Sequence, residues 1–120
     1  MRAIPIKMRK ELAEMESNQI CARSSENDCS GRITFEHAWI YGGCQINELW
    51  AIIGLCEKHH GVNYWQGAGC MDKQLNQYIS LKRAQMLYGP DFLATIYEKY
   101  PKKNWAQEWH YLSNIHKSYD

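Results

Sequence analysis

The sequence predicts an α+β domain in which two short strands and a helix are closed by a metal ion and flanked by α-helices. Three observations predict this fold: cysteine and histidine residues fall into two groups, two short segments are rich in β-branched and aromatic residues, and most of the remaining chain repeats apolar residues at helical spacing. At 120 residues we expect one domain, 1–120. Its parts are an N-terminal helical segment (1–20), a metal-braced core (21–66) and C-terminal helices (67–120).

The N-terminal segment has the pattern of an amphipathic helix. Met8, Leu12 and Met15 recur at helical spacing among lysine and glutamate residues, which predicts a helix over residues 7–17. The segment from Ser24 to Gly31 is polar and rich in turn-forming residues, so we expect a loop there.

Two strands and a short helix are predicted next. Arg32–Tyr41 mixes β-branched and aromatic residues and predicts a strand, which a pair of glycines ends. Trp50–Leu55 predicts a second, apolar strand. Cys56 ends that strand and is expected to begin a helix that continues through His60.

The remainder of the chain predicts three helices, each with one apolar face. The first covers residues 72–88 and ends at a Gly-Pro pair, the second stops at Pro101, and the third begins at Asn104, which opens a capping box. We expect the apolar faces to lie in the core. Their residues are Leu75, Tyr78, Ile79 and Met86, then Phe92, Leu93, Ile96, Tyr97 and Tyr100, then Trp105, Trp109, Leu112 and His116.

The charge of the chain favours no particular partner, because the formal net charge is +1. Nucleic-acid binding would depend on local basic clusters. Each such cluster can equally be an ordinary solvated face of a helix. The clusters are Arg2, Lys7, Arg9 and Lys10, and Lys99, Lys102 and Lys103. No run reaches the roughly 18 to 20 apolar residues of a membrane span, and the N-terminus lacks the apolar region of a secretory signal. We therefore expect a cytoplasmic protein with no membrane contact.

Five cysteines in a chain without an export signal predict metal ligands rather than disulfides. Thiolates and neutral imidazoles are good donors to zinc, and structural zinc sites close with four of them. The predicted ligands of one structural zinc are Cys21, Cys29, Cys56 and His59. The alternative is buried free cysteines and surface histidines. Cys44 and Cys70 are left over, and we expect semi-buried thiols unless one of them is a ligand.

A second group of residues suits catalysis. Adjacent helical residues point roughly 100° apart, so His60 can face away from a zinc held by His59 and bind a second ion. In the first strand, Glu36 precedes His37; imidazole is the usual proton acceptor at neutral pH, and a carboxylate binds cations such as Mg²⁺. Strand alternation sends these two neighbours to opposite faces unless the strand twists or bends. A purely structural role for the pair is the alternative.

The order Cys…Cys…Glu-His…Leu-Cys-x-x-His-His resembles the HNH endonucleases (His-Me finger, ββα-metal), especially small phage and prophage forms braced by zinc. The matching region runs from Cys21 to His60. Its more specific parts are Arg-Ile-Thr-Phe-Glu-His-Ala-Trp-Ile-Tyr and Trp-Ala-Ile-Ile-Gly-Leu-Cys-Glu-Lys-His-His. The resemblance implies a zinc-braced ββα-metal core and DNA as the substrate. It also implies that His37 is the general base, that Glu36 is a metal ligand or a positioning group, and that His60 is the second ligand of a catalytic Mg²⁺ or Mn²⁺.

The chain departs from the family pattern at three positions. His59 stands where the family commonly has the second cysteine of the closing knuckle, which keeps a zinc ligand. Glu36 replaces the more usual aspartate, and Ala51 stands where an asparagine is common. Asn47 lies on the loop before the second strand and can serve as that asparagine if the loop folds back.

Metal-assisted hydrolysis of a DNA phosphodiester is the expected function, with backbone contacts from the flanking basic residues. The first alternative is a zinc-stabilised module that binds DNA or a protein without cleaving, which Ala51 and the weak basic clusters favour. The second is a purely structural zinc protein. The aromatic C-terminal helices can equally bind DNA, a protein partner or a second copy of the chain, forming a homodimer.

Overall fold

Two antiparallel strands near the middle of the chain carry Glu36, His37 and Cys56 of the predicted site. A computed structural model describes residues 4–61 and 73–119. In it β1 (Ile33–His37) pairs with a later strand, Ile52–Cys56, with Ile33 opposite Cys56 and Glu36 opposite Ile53. All five residues of the later strand are buried, as expected for a strand covered on both faces.

The first strand is shorter than the predicted Arg32–Tyr41 segment. The pairing with the later strand ends at His37, and the next two residues, Ala38 and Trp39, lie outside the strand in the hydrophobic core. The chain therefore turns after β1 and forms a separate hairpin of β2 (Ile40–Tyr41) and β3 (Cys44–Gln45). Gly42 and Gly43 connect them with φ of 59° and 82°, which glycine adopts without strain.

The second predicted strand is present, shifted by about two residues to β4 (Ile52–Cys56). The predicted helix follows it directly as α2 (Glu57–His60). Cys56 is the N-cap of α2, and its sulfur accepts a hydrogen bond from the backbone N–H of His59. The end of the sheet and the first turn of α2 are thus joined at one cysteine.

The N-terminal helix is also shorter than predicted. α1 (Ile6–Glu14) ends at Met15, whose backbone is extended, and a 3₁₀ turn follows at Glu16–Asn18. Asn18 is 3% exposed and donates through Nδ2 to the carbonyl of Leu12, which satisfies an acceptor at the end of α1. A second 3₁₀ turn at Ser24–Glu26 lies in the predicted loop.

Three longer helices follow, as the sequence predicted. They are α3 (Lys73–Tyr88), α4 (Phe92–Lys99), preceded by a 3₁₀ turn at Gly89–Asp91, and α5 (Trp105–His116). Asn104 caps α5 by accepting a hydrogen bond from Gln107 N at 3.1 Å, which is half of the predicted capping box. No helix within residues 4–61 and 73–119 has both the length and the apolar character needed to cross a bilayer.

The core is built where these helices meet the strands. Trp39 packs edge-on against Trp105 with ring centroids 4.9 Å apart, and its Nε1 donates to Ser80 Oγ at 2.7 Å. The predicted apolar faces are buried in large part, but Met86 is 83% and Tyr97 52% exposed, so the faces are narrower than their spacing indicated. The predicted α+β class is confirmed.

Candidate metal centre and adjacent histidine site

The four predicted zinc ligands come together at one end of the β1–β4 sheet. Their donor atoms all lie within 4.8 Å of one another. His59 Nδ1 lies 3.3 Å from Cys21 Sγ, 3.6 Å from Cys29 Sγ and 3.3 Å from Cys56 Sγ. One imidazole nitrogen therefore faces three sulfurs.

These distances match what one tetrahedral ion requires. Zinc binds sulfur at about 2.3 Å and imidazole nitrogen at about 2.0–2.1 Å, which places the two donors about 3.6 Å apart at a tetrahedral angle. The Cys3His group is thus within metal-binding distance and is compatible with a structural zinc. A bound metal ion would explain how three thiols can be packed against one imidazole.

Backbone contacts hold the segment that carries Cys21 and Cys29 against the segment that carries Cys56 and His59. Ala22 N donates to the carbonyl of Gly54 in β4 at 2.8 Å, which fixes the residue next to Cys21 on the sheet. Lys58 N donates to the carbonyl of Ser30 at 3.2 Å, which fixes the residue next to Cys29 on α2. Gly54 permits this close packing, since a Cβ there would lie 3.1 Å from a methyl group of Ile33.

The thiols of the centre are electrostatically distinct. Burial, which removes solvation, raises the pKa of Cys29 to about 12, and the neighbouring Cys21 and Cys56 contribute to the same shift. Burial opposes ionisation of Cys56 as well, but hydrogen bonds from the backbone of His59 and Ser30 outweigh it and lower the pKa of Cys56 to about 7. Three thiolates cannot be assembled here without a cation to neutralise them.

A carboxylate that the sequence reasoning missed completes the centre. Asp28 Oδ1 lies 2.8 Å from His59 Nε2, on the side of the ring opposite the sulfurs, and Asp28 Oδ2 lies 2.6 Å from Lys58 Nζ. The hydrogen bond from Lys58, with a smaller contribution from His59, lowers the pKa of Asp28. Zinc-bound histidines commonly donate their second N–H to a carboxylate. Asp28 directly precedes the predicted ligand Cys29, and this position could have marked it as that carboxylate.

Of the two leftover cysteines, Cys44 is not part of this group. Cys44 lies on β3 and is exposed, so the expectation of a semi-buried thiol was wrong for this residue. The hairpin turns its side chain towards solvent rather than towards the sheet. Cys70 lies outside the described residues.

The predicted base, His37, is paired with the predicted asparagine. His37 Nε2 lies 2.6 Å from Asn47 Oδ1, so the loop before β4 does fold back towards β1. An amide oxygen can only accept a hydrogen bond, so the ring proton of His37 is on Nε2. Nδ1 is then the nitrogen that can take up a proton. His37 is 9% exposed, so only a small part of the ring is accessible.

Ala51, at the position where an asparagine was expected, has a backbone role. It is fully buried, its N–H donates to the carbonyl of Glu48, and its carbonyl accepts from Ala38 N, both at 2.9 Å. This arrangement closes the turn that leads into β4. The contact to His37 comes instead from Asn47, which directly precedes this turn.

The predicted ligands of the second ion are close together but already have other partners. Glu36 Oε2 lies 3.9 Å from His60 Nε2, and His60 Nδ1 lies 2.6 Å from the hydroxyl of Thr34. Lys73 Nζ lies 3.4 Å from Glu36 Oε1 and 2.5 Å from the carbonyl oxygen of His37. Burial lowers the pKa of His60, with opposing effects from Glu36 and from Lys73. Sequence reasoning missed Lys73, which is distant in the chain and carries no motif.

Comparisons with known proteins do not place the chain in a family. No family model, curated protein or solved structure matches it. The chemistry of the site therefore has to follow from its own side chains. They offer a sulfur-rich metal centre, a histidine held by an amide, and a carboxylate–imidazole pair next to an ammonium group.

Proposed function

We propose that this protein is an HNH-type endonuclease that hydrolyses phosphodiester bonds in DNA with the help of a divalent ion. The observation that carries the proposal is the contact of His37 Nε2 with Asn47 Oδ1 at 2.6 Å, on a sheet whose other end bears the Cys3His group. The succession of β1, β4 and α2 is also what a ββα-metal core requires. Together they match the order of elements and side chains on which the resemblance to this family rests.

His37 is the general base in this proposal. Because Nε2 donates its proton in a hydrogen bond to Asn47, Nδ1 is the nitrogen that takes a proton from the attacking water. The amide also fixes the ring plane, so the base is oriented before the substrate arrives. Asn47 is accordingly a positioning residue.

Glu36 and His60 are the candidate ligands for the divalent ion. Two ligands of one Mg²⁺ lie about 3 Å apart when adjacent and about 4 Å apart when opposite. The observed 3.9 Å between Glu36 Oε2 and His60 Nε2 is close to the separation of two opposite ligands, so the pair fits one ion. A bound divalent ion would neutralise charge that develops on the phosphate and the leaving oxygen.

The zinc has a supporting role in this scheme. It would join the segment that carries Cys21 and Cys29 to the β4–α2 junction, where Cys56 and His59 are located. His60 follows His59 directly, so the zinc would also fix where the second histidine points. Because zinc with four protein ligands has no open position, it would not itself act on the substrate.

Exposed basic side chains near the site can contact the DNA backbone. Lys7, Arg9 and Lys10 are exposed on α1, and the Arg9 guanidinium lies 5.8 Å from the ring centre of Phe35 in β1. Lys99 is 68% exposed and lines a surface cleft together with Asn47. Such contacts would give salt-dependent affinity with little sequence preference.

A plasmid-nicking assay tests the proposal, with Mg²⁺ or Mn²⁺ added to zinc-loaded protein. We expect the native chain to nick the plasmid and His37→Ala to be slower by about 10² to 10⁴-fold, the usual contribution of a general base. His110→Ala is the matched control, because His110 is an exposed histidine on α5 and its loss should leave the rate unchanged. Equal nicking by the native and His37→Ala chains, or none by either, argues against the proposal.

A zinc-stabilised binding module that does not cleave is the second candidate. The observations that favour it are the 9% exposure of His37 and the ion pair that Lys73 forms with Glu36. It predicts that DNA binding, measured by fluorescence anisotropy, persists while no nicking occurs with either divalent ion.

A further inference from the structure

The ammonium group of Lys73 lies beside the carboxylate proposed to bind the divalent ion. Lys73 is the first residue of α3, and its Nζ reaches both Glu36 Oε1, at 3.4 Å, and the carbonyl oxygen of His37, at 2.5 Å. The two acceptors are a buried carboxylate and the backbone of the proposed base. The lysine therefore connects the metal-binding residue of the site to its catalytic residue.

We infer that Lys73 is a built-in competitor of the divalent ion, so that ion binding at Glu36 and His60 requires the ammonium group to leave. This inference rests on the proposed function. Lys73 is then a positioning residue that acts through Glu36. It sets the concentration of divalent ion at which the site becomes occupied.

Charge is the first reason for the competition. A carboxylate that is paired with an ammonium group is a poorer ligand, because the ion must first displace a cation that is already hydrogen-bonded. An ammonium group left in place would lie within a few ångströms of a doubly charged ion and repel it. Glu36 brings one negative charge to the site, and the ammonium group of Lys73 already offsets it.

Exposure is the second reason. The Lys73 side chain is 41% exposed, whereas the Glu36 side chain is 9% exposed. The lysine can swing into solvent on its flexible stem, while the carboxylate is held in place. Exchange of one cation for another thus needs only a side-chain rotation and leaves the sheet unchanged.

Mn²⁺ binding tests this inference without any measurement of cleavage. We would titrate zinc-loaded protein with Mn²⁺ and follow the free aqua ion by electron paramagnetic resonance. The chains compared are native, Lys73→Met, Lys73→Met with Glu36→Gln, and Lys82→Met. The last is the matched control, since it removes the same charge from the same helix about 13 Å further along. Zinc content and thermal unfolding of each chain show that the fold is kept.

We expect Lys73→Met to bind Mn²⁺ at least about tenfold more tightly than the native chain, because the ion no longer has to displace an ammonium group from Glu36. Lys82→Met should match the native chain, and adding Glu36→Gln should abolish the gain. An affinity that is unchanged or weaker in Lys73→Met overturns the inference, even if plasmid nicking is observed. Tighter Mn²⁺ binding without nicking supports the role of Lys73 and refutes the nuclease proposal, so the two outcomes can be told apart.

Discussion

His59 contacts Asp28 on one side of its ring and the three cysteine sulfurs on the other. Nε2 lies 2.8 Å from Asp28 Oδ1, while Nδ1 lies 3.3–3.6 Å from the sulfurs. The carboxylate therefore fixes the tautomer in which Nδ1 is unprotonated and can bind an ion. The loop that carries Asp28 is thus part of the metal centre and also links its two halves.

Loss of one thiol from the centre should remove the metal and most of the stability. A structural zinc contributes an apparent binding free energy of about 10–16 kcal/mol in small zinc domains, which is comparable to the roughly 5–15 kcal/mol that stabilises a typical domain. Cys56→Ser should therefore hold no zinc and lack a cooperative thermal transition. Treatment of the native chain with a strong chelator should have the same effect.

Cys44→Ser is the control for that experiment, because Cys44 is exposed and outside the group. It should retain one zinc per chain by atomic absorption and melt like the native protein. If Cys44→Ser loses zinc, or if Cys56→Ser retains it, then the assignment of ligands is wrong.

Asp28→Asn should weaken zinc binding without removing a ligand. Loss of a carboxylate behind a metal-bound histidine typically costs about 10- to 100-fold in affinity. Competition with a chromophoric chelator would measure the change. Lys58→Met tests whether the effect comes through the other Asp28 oxygen, and Asp91→Asn, an exposed acid in a distant turn, is the control. Equal affinity of Asp28→Asn and Asp91→Asn would contradict the role of this carboxylate.

Local chemistry explains what could be predicted from the sequence. Cys56 and His59 are one helical turn apart, so their convergence needed only a strand end and a helix start. Asn104 and the Gly-Pro pair at 89–90 act within a few residues, and the helix boundaries near them agree closely with the structure. Cys21 and Cys29 predicted a shared ion only in combination with Cys56 and His59, and the path of the chain between the two pairs was not predicted.

The parts that could not be predicted depend on contacts between distant segments. The strand through Arg32–Tyr41 breaks because both Ala38 and Trp39 are buried, which only the packing of Trp39 against Trp105 decides. Lys73 reaches Glu36 across many residues, with no pattern in either segment that marks the contact. The exposed Met86 also shows that helical spacing alone does not fix the width of a buried face.

Arg83→Met should destabilise the fold, because Arg83 joins α3 to the turn after α1. Its guanidinium donates to Asn18 Oδ1 at 2.6 Å and to the carbonyl of Ser17 at 2.9 Å. Burial lowers the pKa of Arg83 to about 10, and the side chain is therefore still charged at neutral pH. We expect a loss of about 2–4 kcal/mol in the free energy of unfolding, as for other buried charged hydrogen-bond donors.

Urea denaturation of zinc-loaded protein would measure the effect of Arg83→Met, with Lys82→Met as the neighbouring control on α3. Arg83→Lys should fall between the native chain and Arg83→Met, since a lysine keeps the charge but cannot make both contacts in the same geometry. Native stability in Arg83→Met would show that the contact to Asn18 is not needed.

Tyr119 should make stability depend on alkaline pH. Burial and the nearby Glu26 carboxylate raise the pKa of Tyr119 above its ordinary value of about 10. The folded chain thus favours the neutral phenol, so this contribution is fully present below about pH 10 and is lost as the pH rises through the folded value. The stability difference between native and Tyr119→Phe chains should shrink or reverse above that pH.

Denaturant titrations at several pH values from 8 upward would follow that difference. Tyr111→Phe is the control, because Tyr111 is half exposed on α5. A difference between native and Tyr119→Phe chains that does not change with pH would show that the phenol titrates normally.

Asn47 should control the activity of His37 through the proton on Nε2. Asn47→Ala removes the acceptor 2.6 Å from that nitrogen, so the ring can turn or change tautomer, and we expect plasmid nicking to slow by at least about tenfold. Asn47→Asp keeps an acceptor but adds a negative charge, which stabilises the protonated ring. Its rate should be low at neutral pH and recover as the pH rises, so the acidic limb of the pH–rate profile moves to higher pH.

Asn114 provides the control, because its Nδ2 lies 3.3 Å from the Nε2 of His110 on exposed α5. Asn114→Ala and Asn114→Asp should leave both the rate and its pH profile unchanged. A structural defect in Asn47→Asp would lower the rate equally at every pH, whereas an effect through His37 must depend on pH. A uniform loss would thus refute the role of Asn47 as the residue that sets the tautomer of the base.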